Sequence, residues 1–265
     1  SNFILSKMTH EQTTFKDALE EAQRLGFAEA DPTDDVEGVD AARKVVITSY
    51  LSFNQVIKLN DVKLVGISDI TLADINAASA LNYKIKLIGK GTYENGYVNA
   101  SVEPTLIHKN HQLAAVENEY NAIYVIGDAV GDTMFYGKGA GSLATGSAVV
   151  SDLLNVALFF ESNLHTLPPH FELKTEETKE MMDGAEPVVI QEKSNYYIVI
   201  SHSHKSLEKV EYDIKKKLPF HKSLQLVERD QDTYAIIVTG IETSPEKVLN
   251  QSGFNIKKVY PVEGV

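Results

Sequence analysis

Between Glu29 and Lys44 the sequence gathers the carboxylates of Glu29, Asp31, Asp34, Asp35, Glu37 and Asp40 and the cations of Arg43 and Lys44. Ionised carboxylates accept hydrogen bonds from an ammonium group, and a lysine oriented by a carboxylate can give or take a proton. The combination suits holding an amino acid and moving one proton on it. Asp40 and Lys44 stand four apart, so on a helix they share a face. The ordinary alternative is a solvated ion pair worth roughly 0.3–0.5 kcal/mol, with the preceding acids serving as helix caps. Spacing alone leaves both readings open.

Positioning these side chains requires a turn that runs into a helix. Asp31-Pro32 breaks the chain, because the residue before proline is pushed out of the α region. The following apolar pattern predicts a helix over 36–57, capped by Asp34 or Asp35 at its positive end. Ahead of the turn, apolar residues at helical spacing predict two helices over 3–25, broken around Thr9 to Thr13, with Thr13 or Thr14 capping the second. Thr71 and Asp74 form a capping-box pair for a short helix ending at Leu81. Strands are expected over 84–90, 96–104, 111–116 and 121–127. A glycine turn and one long helix, Ser142 to Phe160, then follow.

Glycines at 137, 139 and 141 precede that helix, so their amides can meet an anion at its positive end; a simple turn is the plainer reading. Thr145 and Ser147 read as hydroxyls inside the helix. The eight histidines show no zinc-like spacing, and no metal site is assigned. His108 and His111 read as an exposed turn. Residues 161–187 have the composition of a linker. From Asn195 the order strand, helix, strand, strand, helix, strand predicts a ferredoxin-like βαββαβ unit.

The stretch Ala22, Gly26, Asp31, Pro32, Asp35, Val36, Gly38, Asp40 and Lys44 resembles the signature of homoserine dehydrogenases at every position. Two further stretches resemble the same family. Asn2 to Met8 is similar to the helix after its Gly-Thr-Thr turn, and Gly127 to Gly141, with Pro104-Thr105-Leu106 upstream, is similar to its glycine loop. The resemblance spans about residues 2 to 160. It implies interconversion of L-homoserine and L-aspartate 4-semialdehyde, with hydride carried by NADP or NAD. It implies that Glu29, Asp35, Asp40 and Lys44 bind substrate. Lys44 would be the acid/base, Asp40 would orient it, and Gly139, Ala140 and Gly141 would face the cofactor. The fold implied is α+β: a mixed sheet with helices over 1–160, a linker over 161–187, and a ferredoxin-like unit over 188–265 that resembles an ACT domain. ACT effector loops usually carry glycine after the first strand. Here that stretch is His202-Ser203-His204-Lys205-Ser206, so tight effector binding is not expected.

Such enzymes open with a nucleotide-binding fold bearing Gly-x-Gly-x-x-Gly after a strand, and the 265 residues hold no such motif. The chain is therefore expected to be a fragment, inactive alone. A net charge of −12 and a pI near 5.1 argue against a nucleic-acid partner. There is no cysteine, hence no disulfide framework. No apolar stretch is expected to approach the ~18 residues of a spanning helix, and Phe3-Ile4-Leu5 is too short for a signal-peptide core. These features predict a cytoplasmic protein without membrane contact. A homodimer is expected through the strands of 84–127. Two rival readings are a non-catalytic amino-acid-binding or dimerisation protein that keeps the substrate fold, and a free-standing regulatory module that leaves the first 160 residues unexplained.

Overall fold

The computed structural model describes residues 1–139, 141–161, 194–201, 206–218, 221–241, 244–250 and 254–263. It is an α+β protein built on a seven-stranded mixed sheet, with a separate two-stranded hairpin. Helices α1 (Asn2–Glu11) and α2 (Phe15–Arg24) match the expected pair. Thr14 caps α2 through a hydrogen bond from the Asp17 amide to its Oγ1, 3.2 Å.

The expected helix over 36–57 is two: a single turn α3 (Thr33–Val36) and the longer α4 (Val39–Phe53). Gly38 separates them at φ +82°, and no side chain caps α4, so Asp34 and Asp35 sit in the first turn of α3 instead. The packing around Gly38 explains the break, since a Cβ there would stand 3.0 Å from Val102. A second glycine lets α4 lie close on the sheet, because a Cβ on Gly89 would fall 2.4 Å from the Val45 side chain.

A short strand β1 (Lys63–Leu64) precedes α5 (Leu72–Ala80), where Thr71 and Asp74 make the expected capping box. Strands β2 (Tyr83–Glu94) and β3 (Tyr97–His108) pair antiparallel along their whole length. The strand expected over 111–116 is a 3₁₀ turn, Gln112–Ala115. His111 caps it by accepting the Leu113 amide on Nδ1, which turns the chain out of extended geometry. The glycine stretch after β4 (Tyr120–Gly127) is largely a strand too. β5 (Gly131–Lys138) pairs with β4 residue by residue, and tertiary pairing here overrides the low strand propensity of glycine.

Helix α6 (Ser142–Glu161) overturns the expectation about apolar length. Ser142–Phe160 has a mean hydropathy of 1.6 and none of it is buried, so by length and composition alone it is long enough to cross a bilayer. Gly146, Ser147, Ser151, Asp152 and Asn155 interrupt the apolar run and hide it from a count of contiguous residues. The linker expected over 161–187 lies outside the described residues, apart from Glu161.

Strand β6 (Ser194–Ser201), α7 (Leu207–Lys217), β7 (Ser223–Asp230), β8 (Thr233–Ile241), α8 (Pro245–Asn250) and β9 (Asn255–Glu263) follow the expected βαββαβ order. The strands lie as β9-β6-β8-β7, all antiparallel, which is the ferredoxin-like arrangement. One face of this unit packs Ile198, Ile200, Ile236 and Val238 on Val210 and Ile214 of α7 and Leu249 of α8. The other face joins the first half of the chain. Tyr197, Val199, Ile237 and Tyr260 share one core with Ile4 and Met8 of α1 and Ile75 of α5. The sheet is continuous across the two halves, because β3 pairs in parallel with β9 at Leu106–Val262 and Ile107–Glu263.

Candidate functional site

The acidic segment is fixed at several points. Asp31 accepts the Thr33 hydroxyl at 2.6 Å and the Thr33 amide at 3.1 Å, and these bonds hold its carboxyl below the usual carboxylate range. Arg43 on α4 pairs with Asp34, tying the first turn of α4 back to α3. The Val36 carbonyl accepts the Ile67 amide at 2.8 Å, and Ser68 donates to Glu37, so the loop after β1 supports the turn from below.

On α4 the expected pair forms. Lys44 Nζ donates to Asp40 Oδ2 at 2.6 Å, with the two side chains 61 % and 47 % exposed. That exposure would make a purely structural pair nearly worthless. The pair is not isolated, however. The amino group of Ser1, at the start of α1, has its pKa lowered mainly by burial, and the charges acting on it are Asp35, Lys44 and Asp40. The charges of Asp35, Asp40 and Lys44 therefore converge on the start of α1, and among them Asp40 and Lys44 are in contact. Glu29 lies on the exposed turn between α2 and α3, where Gln23 donates to the backbone carbonyls of Glu29 at 3.0 Å and Ala30 at 3.3 Å. Its position is set through the backbone, and its carboxylate stays open to solvent.

The glycine turn stands at the head of α6. Ala140 lies outside the described residues. Gly139 donates its amide to the Glu119 carbonyl at 3.1 Å, and a Cβ there would collide with the Asn121 side chain. Gly141 has φ +120° and open space around its Cα, and the first turn of α6 has no acidic residue. Uncovered glycine backbone at the start of a long helix suits a close-lying cofactor edge or anion. His202 to Lys205 also lie outside the described residues.

Asn2 and Lys86 acquire positions that their sequence context did not signal. Asn2 Nδ2 faces three carbonyls, of Val116 at 3.3 Å, Asn118 at 3.2 Å and Tyr120 at 2.9 Å. Lys86 stands on β2 and is 5 % exposed. A polar groove of about 480 Å³ lies elsewhere, lined by residues that include Lys63, Lys90, Glu103, Asn195, Tyr196 and Glu246. Lys90 and Glu103 project from the sheet face opposite α4. Lysines of the groove are already paired, Lys63 with Glu103 at 2.6 Å and Lys90 with Glu263 at 2.7 Å. The groove is the gap where β9 meets β3 and is distinct from the convergence at Lys44.

A mixed sheet thus carries α4, which presents an aspartate–lysine pair near the start of α1. The sequence model of homoserine dehydrogenase matches residues 1–154, and that of the homoserine dehydrogenase C-terminal domain matches residues 193–265. A homoserine dehydrogenase of Bacillus subtilis is 54 % identical over 156 residues, which cover 59 % of this chain and 36 % of the relative. The crystal structure of Staphylococcus aureus homoserine dehydrogenase at pH 6.0 is 70 % identical, with a TM-score of 0.85 over 100 % of this chain and 63 % of that one. A homoserine dehydrogenase from Thiobacillus denitrificans gives 33 % identity and a TM-score of 0.76, covering 99 % of this chain and 61 % of that chain. The chain belongs to the homoserine dehydrogenase family, and it spans less than two thirds of the length of these relatives.

Proposed function

We propose that this chain supplies the substrate-binding part of a homoserine dehydrogenase that interconverts L-homoserine and L-aspartate 4-semialdehyde, a step in making threonine, methionine and isoleucine. The observation that carries the reading is the 2.6 Å bond between Lys44 and Asp40, with the charge of Asp35 acting on the same helix start. Glu29 and Asp35 accept the ammonium of the substrate. Asp40 holds the Lys44 amine by its 2.6 Å bond, and Lys44 takes the hydroxyl proton when the alcohol is oxidised and returns it when the aldehyde is reduced. A bound nicotinamide, NADP or NAD, supplies the hydride acceptor or donor. Gly139, Ala140 and Gly141 would face it from the substrate side, and the bare backbone at Gly141 leaves room. The Gly-x-Gly-x-x-Gly fold that grips the nucleotide belongs, in this reading, to the part of the relatives' length that the chain does not span.

The same reading assigns residues 1–160 to substrate binding and dimerisation, 161–187 to a connection, and 188–265 to an ACT-like unit in a cytoplasmic enzyme. The homodimer forms through the β4–β5 hairpin, where Ile123, Ile126, Val130, Phe135 and Tyr136 stand exposed, whereas β3 is paired on both edges within the large sheet. Helix α6 is covered by protein and not lipid, because Asp152 and Asn155 sit in its middle.

Purified chain offered homoserine and NADP should show no nucleotide reduction, whereas the full-length enzyme should show it. Turnover by the isolated chain would refute the division of labour, and an inert full-length enzyme would refute the reaction.

A further inference from the structure

Lys86 is a buried ammonium whose partners are neutral. It donates to the Val116 carbonyl at 2.5 Å and to Asn2 Oδ1 at 3.1 Å. The nearest carboxylate, Glu117, is already engaged by Lys84 and by His10 of α1. Burial first, and Lys84 second, push the Lys86 amine down to about 8, against the opposing pull of Glu117. A charge kept out of water in this way costs stability at neutral pH, where an apolar residue of similar size would not. A charged side chain buried among neutral partners calls for a use.

The use follows from what Asn2 touches. Asn2 follows Ser1, on which the charges of Asp35, Asp40 and Lys44 act. Its side-chain amide brackets the carbonyls of Val116, Asn118 and Tyr120, and the Glu119 carbonyl inside that bracket accepts the Gly139 amide. Hydrogen bonds thus tie Asn2, at the start of α1, to residues 116–120, and residue 119 of that segment to the glycine turn. Lys86 bonds both Asn2 and Val116.

We infer that Lys86 and Asn2 are positioning residues that set the spacing between the substrate half-site at Lys44 and the cofactor-facing turn at Gly139. The inference rests on the homoserine dehydrogenase reading above. Hydride transfer needs the two reacting carbons within contact distance, and small misplacements cost rate far more than affinity. The signature of such a role is therefore a loss of kcat with both binding steps preserved.

The experiment compares full-length wild type with Lys86→Met, Asn2→Ala and the double variant. Measurements are kcat, the KM for homoserine, the KM for NADPH, melting temperature, and amide hydrogen exchange over residues 116–121 and 139. Expected for each single variant is a roughly ten- to hundredfold fall in kcat with both KM values within about twofold. Exchange at Gly139 should speed up about tenfold or more, and the double variant should be no worse than the poorer single one. An unchanged kcat accompanied by a lower melting temperature would reduce the pair to a structural brace and overturn the inference. So would unchanged exchange at Gly139. If Lys86→Met does not fold, Asn2→Ala alone decides by the same criteria. A wild type inert toward homoserine overturns the functional reading and this inference together, whereas an active wild type with active variants overturns this inference alone.

Discussion

Asp74 and Asp40 each hold a lysine at a bonding distance of 2.6–2.7 Å, but in opposite surroundings. Asp74 is fully buried. Arg229 Nε reaches its Oδ1 at 2.8 Å, Lys258 Nζ reaches its Oδ2 at 2.7 Å, and the Thr71 amide adds a third bond at 3.0 Å. Burial by itself would raise the Asp74 carboxyl, and these donors overcome it and hold the carboxyl below the usual range. Every partner is spoken for, and the cluster joins α5 to strands β7 and β9. Asp40 has one lysine, half its surface in water, and no cover. A charge cluster that fastens two parts of a fold is saturated and dry. One that must receive a ligand keeps acceptors and donors free, at no cost in stability because water still solvates them.

That contrast breaks first at Lys44. In the full-length enzyme, Lys44→Ala should lower turnover by roughly 10²–10⁴, the usual scale for a group that transfers the proton. Steady-state kinetics in both directions, with a melting curve as folding control, checks this; a near-normal rate would turn the pair into surface decoration. Next in size is Asp74→Ala, which strands Arg229 and Lys258 in the interior. It should cost about 3–5 kcal/mol of unfolding free energy in a denaturant titration, without altering the KM for homoserine in whatever fraction stays folded. The sign of the pH dependence follows from the lowered carboxyl. The stabilisation by Asp74 is complete above the unfolded value of 3.8 and is lost as pH falls through the lower folded value, so the wild-type advantage over Asp74→Asn should shrink only in strong acid. Smallest is Asp40→Ala, with a rate loss in the same direction as Lys44→Ala but weaker, and a stability change within about 0.5 kcal/mol. For the hairpin, light scattering of the purified chain at micromolar concentration should give the mass of a dimer; a monomer would remove β4–β5 as the contact.

The sequence made the site more legible than the frame around it. Asp40 and Lys44 are local, four apart on one helix, so their meeting could be read from periodicity, and the long signature fixed their company. The Thr71–Asp74 capping box was equally legible for the same reason. Its second task was not, because Arg229 and Lys258 lie more than 150 residues further on and no local pattern points to them. The break at Gly38 depends on Val102 and Leu64 lying above it, and β5 exists because β4 lies beside it, so propensity alone misassigned both. Lys86 shows the same limit. It was expected only as part of a strand over 84–90, and the 3₁₀ turn at Gln112–Ala115, just before its partner Val116, was itself expected to be a strand.

The seam between β3 and β9 bears on how the protein is made. One edge of β3 is shared end to end by β1, paired at Lys63–Ser101, and by β9, paired at Leu106–Val262. The first partner leaves the ribosome before β3 does, and the second follows more than 150 residues later. At bacterial synthesis speeds that interval is on the order of ten seconds. Throughout it the far end of β3 presents unpaired backbone, and the Ile4, Met8 and Ile75 side of the core lacks its cover. Until β9 arrives the nascent chain therefore carries a half-finished sheet, and the completing strand comes from the C-terminal βαββαβ unit.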